Sequence, residues 1–195
     1  MRKFFPLLCC IGALSAEPLL EFKPGYFHFS DSHLRKIYGD GALDLAISVT
    51  YPIWNRINCY FSIESIHKKS KDRQRPFRVE LSMYPISLGT QISQPLSSSV
   101  DWYLTIGPQF IFYHQNNHRP TILNRQDKNG FGGFANTGFI FHVFPHWTLD
   151  VFGQYSYRVV RYQALEVDPL FIQTFHGRKI QIGGTLIGGG IGYLF

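Results

Sequence analysis

The sequence predicts an all-β chain: an eight-stranded antiparallel up-and-down barrel that crosses a membrane. Three observations lead there. Apolar and polar residues alternate with period two through most of the 195 residues, which is the signature of strands with two unlike faces. The connections alternate between long and short, as in a meander whose odd turns emerge on one side and even turns on the other. No run of about 20 apolar residues is available for a membrane helix, while 45% hydrophobic and 16% aromatic content excludes a disordered chain.

Met1–Ala16 are set apart from the fold. Arg2 and Lys3 make a positive end, Phe4–Leu14 an apolar stretch and Ala13-Leu14-Ser15-Ala16 a small-residue cleavage region, the pattern of a secretory signal peptide. Residues 17–195 then form the barrel domain. Cleavage removes Arg2 and Lys3 and no carboxylate, so the formal charge falls from +6 to +4. It also removes Cys9 and Cys10 and leaves Cys59 without an intrachain partner, so disulfides do not hold the fold.

Eight strands follow. Leu43–Tyr51 is the clearest: Leu43, Leu45, Ile47, Val49 and Tyr51 alternate with Asp44, Ala46, Ser48 and Thr50. A helix would need its apolar residues three and four apart. Val100–Phe112 and Leu149–Val159 repeat the alternation, and Phe22–Ser30, Ile57–His67, Phe77–Ile92, Gly130–Phe144 and Ile180–Phe195 complete the set, with a bulge or bend expected at Tyr84-Pro85. Connections Asp31–Gly41, Lys68–Pro76, His114–Asn129 and Gln163–Lys179 are long and polar; Pro52–Arg56, Ser93–Ser99 and Pro145–His146 are shorter. Aromatics gather at both expected membrane edges: Trp54, Trp102, Trp147 and Tyr193 toward the short turns, Phe110, Phe112, Phe131 and Tyr157 toward the long loops.

Parity assigns Asp44, Glu64, Glu80, Asp101, Asp150 and Arg158 to the inner faces, where they form a polar network with Gln109, Gln154, Tyr60 and Tyr103. An eight-stranded barrel is just wide enough for side chains to fill it. Glycines such as Gly132, Gly133 and Gly188-Gly189-Gly190 leave room for them, and no helix follows to make a nucleotide site. Periodicity gives two faces without naming them, and a soluble lipocalin-type barrel would reverse the assignment.

No catalytic motif is present: there is no G-x-S-x-G, no H-E-x-x-H and, after residue 16, no C-x-x-C. No cofactor and no metal are expected, because the histidines lack ligand spacing on a defined face. The cluster Lys68, Lys69, Lys71, Arg73 and Arg75 is the strongest charge feature. It lacks an aromatic stacking platform for nucleic acid; on an external loop its counterpart is the phosphate and sugar-acid charge of lipopolysaccharide or of a host-surface glycan.

The chain resembles the small eight-stranded outer-membrane barrels of Gram-negative bacteria, the class of OmpA transmembrane domains, OmpX-like and OmpW-like proteins. Lys23-Pro24-Gly25-Tyr26-Phe27, Arg35-Lys36-Ile37-Tyr38, Asn129-Gly130-Phe131-Gly132-Gly133-Phe134 and Asp150-Val151-Phe152-Gly153-Gln154-Tyr155-Ser156-Tyr157 further resemble an outer-membrane barrel family of chlamydia-like bacteria. The resemblance implies an outer-membrane location and contact with its lipid and lipopolysaccharide. It also implies that Tyr193 and Phe195 act as the assembly signal read by the insertion machinery. By analogy, Glu64, Glu80 and Arg158 would be the internal charge network. The function it implies is non-enzymatic, structural or in surface interaction and adhesion, with a narrow OmpW-like channel or a lipid-modifying enzyme as alternatives. The peptidoglycan-binding domain that follows the barrel in OmpA has no counterpart in this sequence.

Overall fold

A computed structural model describes residues 17–71, 78–118, 125–161 and 179–195. The expected signal peptide, Arg73 and Arg75 lie outside these residues. The strands are β1 (Leu19–Phe29), β2 (Gly41–Trp54), β3 (Ile57–Lys71), β4 (Arg78–Ser97), β5 (Val100–His118), β6 (Arg125–His142), β7 (Trp147–Arg161), β8 (Lys179–Gln181) and β9 (Gly184–Leu194), with one helix, α1 (Ser32–Tyr38), after β1. Every pairing is antiparallel between sequence neighbours, and β1 pairs with β9 to close the ring. β8 and β9 are one barrel strand: the register that gives Val159↔Gln181 also gives Ser156↔Gly184, and Ile182 N donates to Arg158 O between them at 2.9 Å. Closure is what a sheet in hydrocarbon requires, since no edge amide or carbonyl is left unpaired there.

The registers fix the barrel's geometry. Following partners round the ring gives Tyr51↔Cys59↔Thr90↔Ile106↔Ala135↔Tyr155↔Thr185↔His28↔Gly41, so one circuit returns to β2 ten residues away, at Gly41 instead of Tyr51. Eight strands with that stagger are strongly tilted. Along β7 the outward residues Trp147, Leu149, Val151, Tyr155 and Tyr157 are all about half exposed. Their span is about 33 Å along the strand at ~3.3 Å per residue, or about 25 Å of height at a tilt near 40°, the height of the apolar band of a membrane barrel. Among the described residues no helix is long and apolar enough to cross a membrane.

The faces are unambiguous. Outward positions carry Phe22, Ile47, Ile63, Leu88, Ile106, Val151 and Ile187, all exposed, while Glu21, Lys23, Asp44, Ser48, Glu64, Gln109, Asp150 and Arg158 are buried inside. This is the polarity of a lipid-facing wall and the reverse of a lipocalin. Free Cys59 is half-buried on the outward register of β3.

The even connections are tighter than the sequence suggests. Asn55-Arg56 turns with Asn55 in the left-handed region at φ 47°, and because β4 runs on to Ser97, the connection expected at Ser93–Ser99 shrinks to Ser98-Ser99. The expected bulge at Tyr84-Pro85 is absent as a register shift. Both residues pair in line with Phe112 and Ile111, and only the β3 ladder skips from Ile63↔Ile86 to Ile66↔Met83, where proline has no N–H to donate. Shifts occur instead beside two turns, at Pro52/Trp54 and Pro95/Ser97.

Helix α1 was not expected inside the first long connection. Asp31 caps it, its Oδ1 accepting from Leu34 N at 3.2 Å, and Gly39, at φ 81°, ends it by donating to Arg35 O at 2.9 Å. Arg35 donates to the carbonyls of Phe29 and Ser30 at 2.8 and 3.0 Å, which fastens the helix over the end of β1. It thereby lowers Leu34 and Tyr38 into the barrel mouth.

Candidate functional site

The lumen is built in layers. At the short-turn rim, Asp101 Oδ2 meets His142 Nε2 at 3.0 Å, and Gln91 Oε1 accepts from Thr105 at 3.2 Å while Asn58 donates to Ser93 at 2.9 Å. Above this lies a layer organised by Lys23. Its Nζ is 2.6 Å from Asp150 Oδ2 and 3.2 Å from Glu21 Oε2, and Tyr103 OH donates to Asp150 Oδ2 at 2.9 Å. The ammonium also lies 4.9 Å from the centroid of the Phe152 ring and 5.2 Å from that of Tyr103. Gly190 makes the space: a Cβ there would press on Lys23 Cγ at 3.1 Å and Asp150 Cβ at 3.4 Å.

The next layer is organised by Arg158. Its Nε donates to Gln109 Oε1 at 2.6 Å and its Nη2 to Glu64 Oε2 at 3.2 Å. Glu64 Oε1 also accepts from Gln109 at 3.0 Å and Gln154 at 3.1 Å. Both oxygens of Asp44 and Nη1 of Arg158 are buried without a protein partner. Toward the long loops the interior turns apolar. Phe27, Phe29, Ile66, Leu81, Met83 and Ile111 are fully buried there, with Leu34 and Tyr38 of α1 closing the top.

The polarity of the wall inverts at the same height. β3 carries Ile66 inward but Lys69 outward, and β4 carries Leu81 and Met83 inward but Glu80 outward. Where the outside is lipid-like the inside is polar, and where the outside is polar the inside is a hydrophobic core. The strands therefore continue beyond the apolar band as a soluble-type barrel plugged with its own core.

These layers sort the sequence-assigned residues. Asp44, Glu64, Gln154 and Arg158 come together in the upper polar layer, Asp150 belongs to the Lys23 layer, and Asp101 faces inward at the short-turn rim, paired with His142. Glu80 is a correction: it stands on the outward register opposite Lys69, with Nζ to Oε1 3.6 Å. The inner assignment needed a bulge at Tyr84-Pro85 to change parity, and the ladder to β5 runs without one. His28 is likewise outward, while His114 pairs with Asp127 across β5 and β6. Lys68 and Lys69 sit at the loop end of β3, and Lys71 is its last residue. Tyr193 packs between His146, Trp147 and Phe195 at 5.0 to 5.7 Å between ring centroids.

Sequence reading missed Glu21 and Lys23, because starting the first strand at Phe22 cut off one and Pro24-Gly25 blurred the alternation around the other. The pair of charges two residues apart, on the same parity, was the available signal.

On the outward face, toward the loop end, His67 Nδ1 lies 3.0 Å from Ser82 Oγ. Apart from Asp44, the buried charges of the lumen are engaged with one another.

No family model and no curated protein matches the chain. Solved structures do. Neisserial surface protein A aligns over 91% of this chain and 97% of its own, with TM-score 0.60 and 15% identity. The outer membrane protein OprG of Pseudomonas aeruginosa aligns over 92% and 96%, with TM-score 0.60 and 12% identity. Ail, the attachment invasion locus protein of Yersinia pestis, solved with the heparin analogue sucrose octasulfate, aligns over 92% and 99%, with TM-score 0.57 and 12% identity. At these identities the likeness is one of fold, over nearly the full length of both partners. The chain is thus an eight-stranded antiparallel β-barrel with the fold of bacterial outer-membrane proteins.

Proposed function

We propose that the protein is a non-enzymatic barrel of the outer membrane whose loop end binds polyanionic carbohydrate: the phosphate and sugar-acid groups of lipopolysaccharide or the sulfated glycans of a host surface. The observation that carries this reading is the distribution of charge. Of the 19 Lys and Arg, Arg2 and Lys3 precede the barrel and only Lys23, Arg56 and Arg158 lie away from the long connections; every other one is in those connections or in the strand ends beside them. Six of the 13 carboxylates, Glu17, Glu21, Asp44, Glu64, Asp101 and Asp150, are elsewhere. The loop end is therefore strongly cationic and the rest of the barrel is not, which favours anions at that end by field as well as by contact.

The apolar plug and α1 support a surface role over a conducting pore, since a solute would have to displace a packed core. The complex of Ail with a sulfated sugar analogue makes such a ligand a reasonable first probe. In this reading Met1–Ala16 direct export and are removed, and Tyr193 and Phe195 are recognised by the insertion machinery.

The test is binding of a sulfated oligosaccharide and of a phosphorylated lipopolysaccharide core to the refolded barrel, across ionic strength. Affinity falls as salt rises, and changing Lys68, Lys69, Lys71, Arg73 and Arg75 together to Glu weakens binding by at least ~10-fold, about 1.4 kcal/mol. Equal affinity of this variant and the parent barrel would reject the reading.

A further inference from the structure

The apolar band of the outer wall has a level lower edge and an uneven upper one. One circuit of the ring gains ten residues over eight strands. A register row therefore climbs toward the loops by about 3 Å per strand, and each residue along a strand by about 2.5 Å. On this scale Ile57 of β3, Trp102 of β5, Trp147 of β7 and Tyr193 of β9 share one height to within about 4 Å.

The upper edge divides the ring into two halves. On β4 to β7 the last outward apolar or aromatic residues are Tyr84, Phe112, Phe131 and Val159. On β9, β1, β2 and β3 they are Ile187, Tyr26, Leu43 and Ile63, on average about 7 Å lower. Above Ile63 the outward register continues with Ser65, His67 and Lys69, and above Ile187 with Thr185 and, further up, Gln181. Thr90 and Thr137 are outward too, but Leu88 and Phe131 stand above them on their strands, so neither marks an edge. Tilting the barrel would displace the lower edge along with the upper. With the lower edge level, the mismatch falls on one leaflet, and a bilayer meets a short apolar wall by thinning.

We propose that the wall from β9 through β1 and β2 to β3 is an interaction surface for a thinned outer leaflet. The leaflet is about 7 Å lower there than against β4 to β7. Its headgroups descend to Ser65, His67 and Thr185, which brings their phosphates to the foot of the basic cluster at Lys69. The inference rests on the bilayer placement in the function proposed above and adds the shape of the leaflet around the barrel.

Two pairs of positions test it, because each pair shares one height on opposite halves of the wall. Ser65 matches Gly133 and Thr185 matches Phe110, both to within about 1 Å. A Cβ at Gly133 makes only ordinary contact with Gly107 O at 3.5 Å, so a label is accepted there. Single nitroxide labels are placed in the full barrel, Cys59→Ser, in phosphatidylcholine vesicles, and each labelled chain is first checked for heat-modifiable gel mobility. Depth is read from the ratio of collisions with oxygen and with a water-soluble nickel complex. Labels at 65 and 185 read at least ~5 Å shallower than their partners at 133 and 110, while labels at Ile57 and Phe141, level at the lower edge, read equal depths. Equal depths within either upper pair overturn the thinned surface. A matching offset between 57 and 141 overturns it in favour of a tilted barrel. Nickel access at 133 and 110 as well as at 65 and 185 overturns the bilayer placement beneath it.

Discussion

Replacing Lys23 with Met lowers the stability of the folded barrel by about 3–5 kcal/mol, the usual effect of removing one member of a buried ion pair. Lys23 Nζ lies between Asp150 and Glu21 at 2.6 and 3.2 Å, with all three side chains at most 2% exposed. Met fills nearly the same volume without charge, so the loss is electrostatic: two carboxylates remain in a narrow interior with only Tyr103 and Ser48 to donate to them. The midpoint of denaturant unfolding, followed by gel mobility in lipid vesicles, measures it. The triple variant Lys23→Met, Glu21→Gln, Asp150→Asn recovers most of the stability, because removing all the charges together leaves none unpaired. A single variant as stable as the parent would mean that the ion pairs of Lys23 do not hold this layer together.

Changing Ile106 to Arg costs about 2–4 kcal/mol in a bilayer. Ile106 is outward, 58% exposed, and lies midway along β5 between Trp102 and Phe110, which puts it near the middle of the hydrocarbon. Arg at the outward Lys69 height would cost little, since that position already carries a cation on the polar part of the wall. The contrast between the two depths is the informative quantity, and it is read from reversible unfolding in vesicles of defined thickness. Equal, small effects at both depths would mean that the Ile106 wall is not in lipid.

Much of the fold follows from two elementary periodicities. The alternation in Leu43–Tyr51 and Leu149–Val159 was sufficient to identify strands, and the lengths of the connections were sufficient to order them as a meander. Depth was not legible. Parity says which face a residue occupies but not how far along the axis it sits, so Asp150 and Arg158, eight residues apart on β7, could not be separated into the two layers they occupy. The same limit hid the hydrophobic plug. Ile66, Leu81 and Ile111 have the parity of the polar lumen residues Glu64, Ser87 and Gln109, and only their height, beyond the apolar band, reverses what an inward position should contain. Glu80 shows how one local error propagates, because assuming a bulge at Tyr84-Pro85 exchanges the faces of everything before it. Helix α1 was legible in its ends, Asp31 and Gly39, but its seven residues are too few to show a period.

The central claim is that lipid surrounds the apolar wall while the polar interior is packed and sealed. Nitroxide labels placed singly at each position from Val151 to Tyr155, in a Cys59→Ser background reconstituted in vesicles, test it most directly through their collisions with oxygen and with a water-soluble nickel complex. The predicted result is a period of two: positions 151, 153 and 155 are open to oxygen and closed to nickel, while 152 and 154 are shielded from both. Nickel accessibility at 152 and 154 would mean a water-filled lumen, oxygen accessibility there would reverse the faces, and either would contradict the claim.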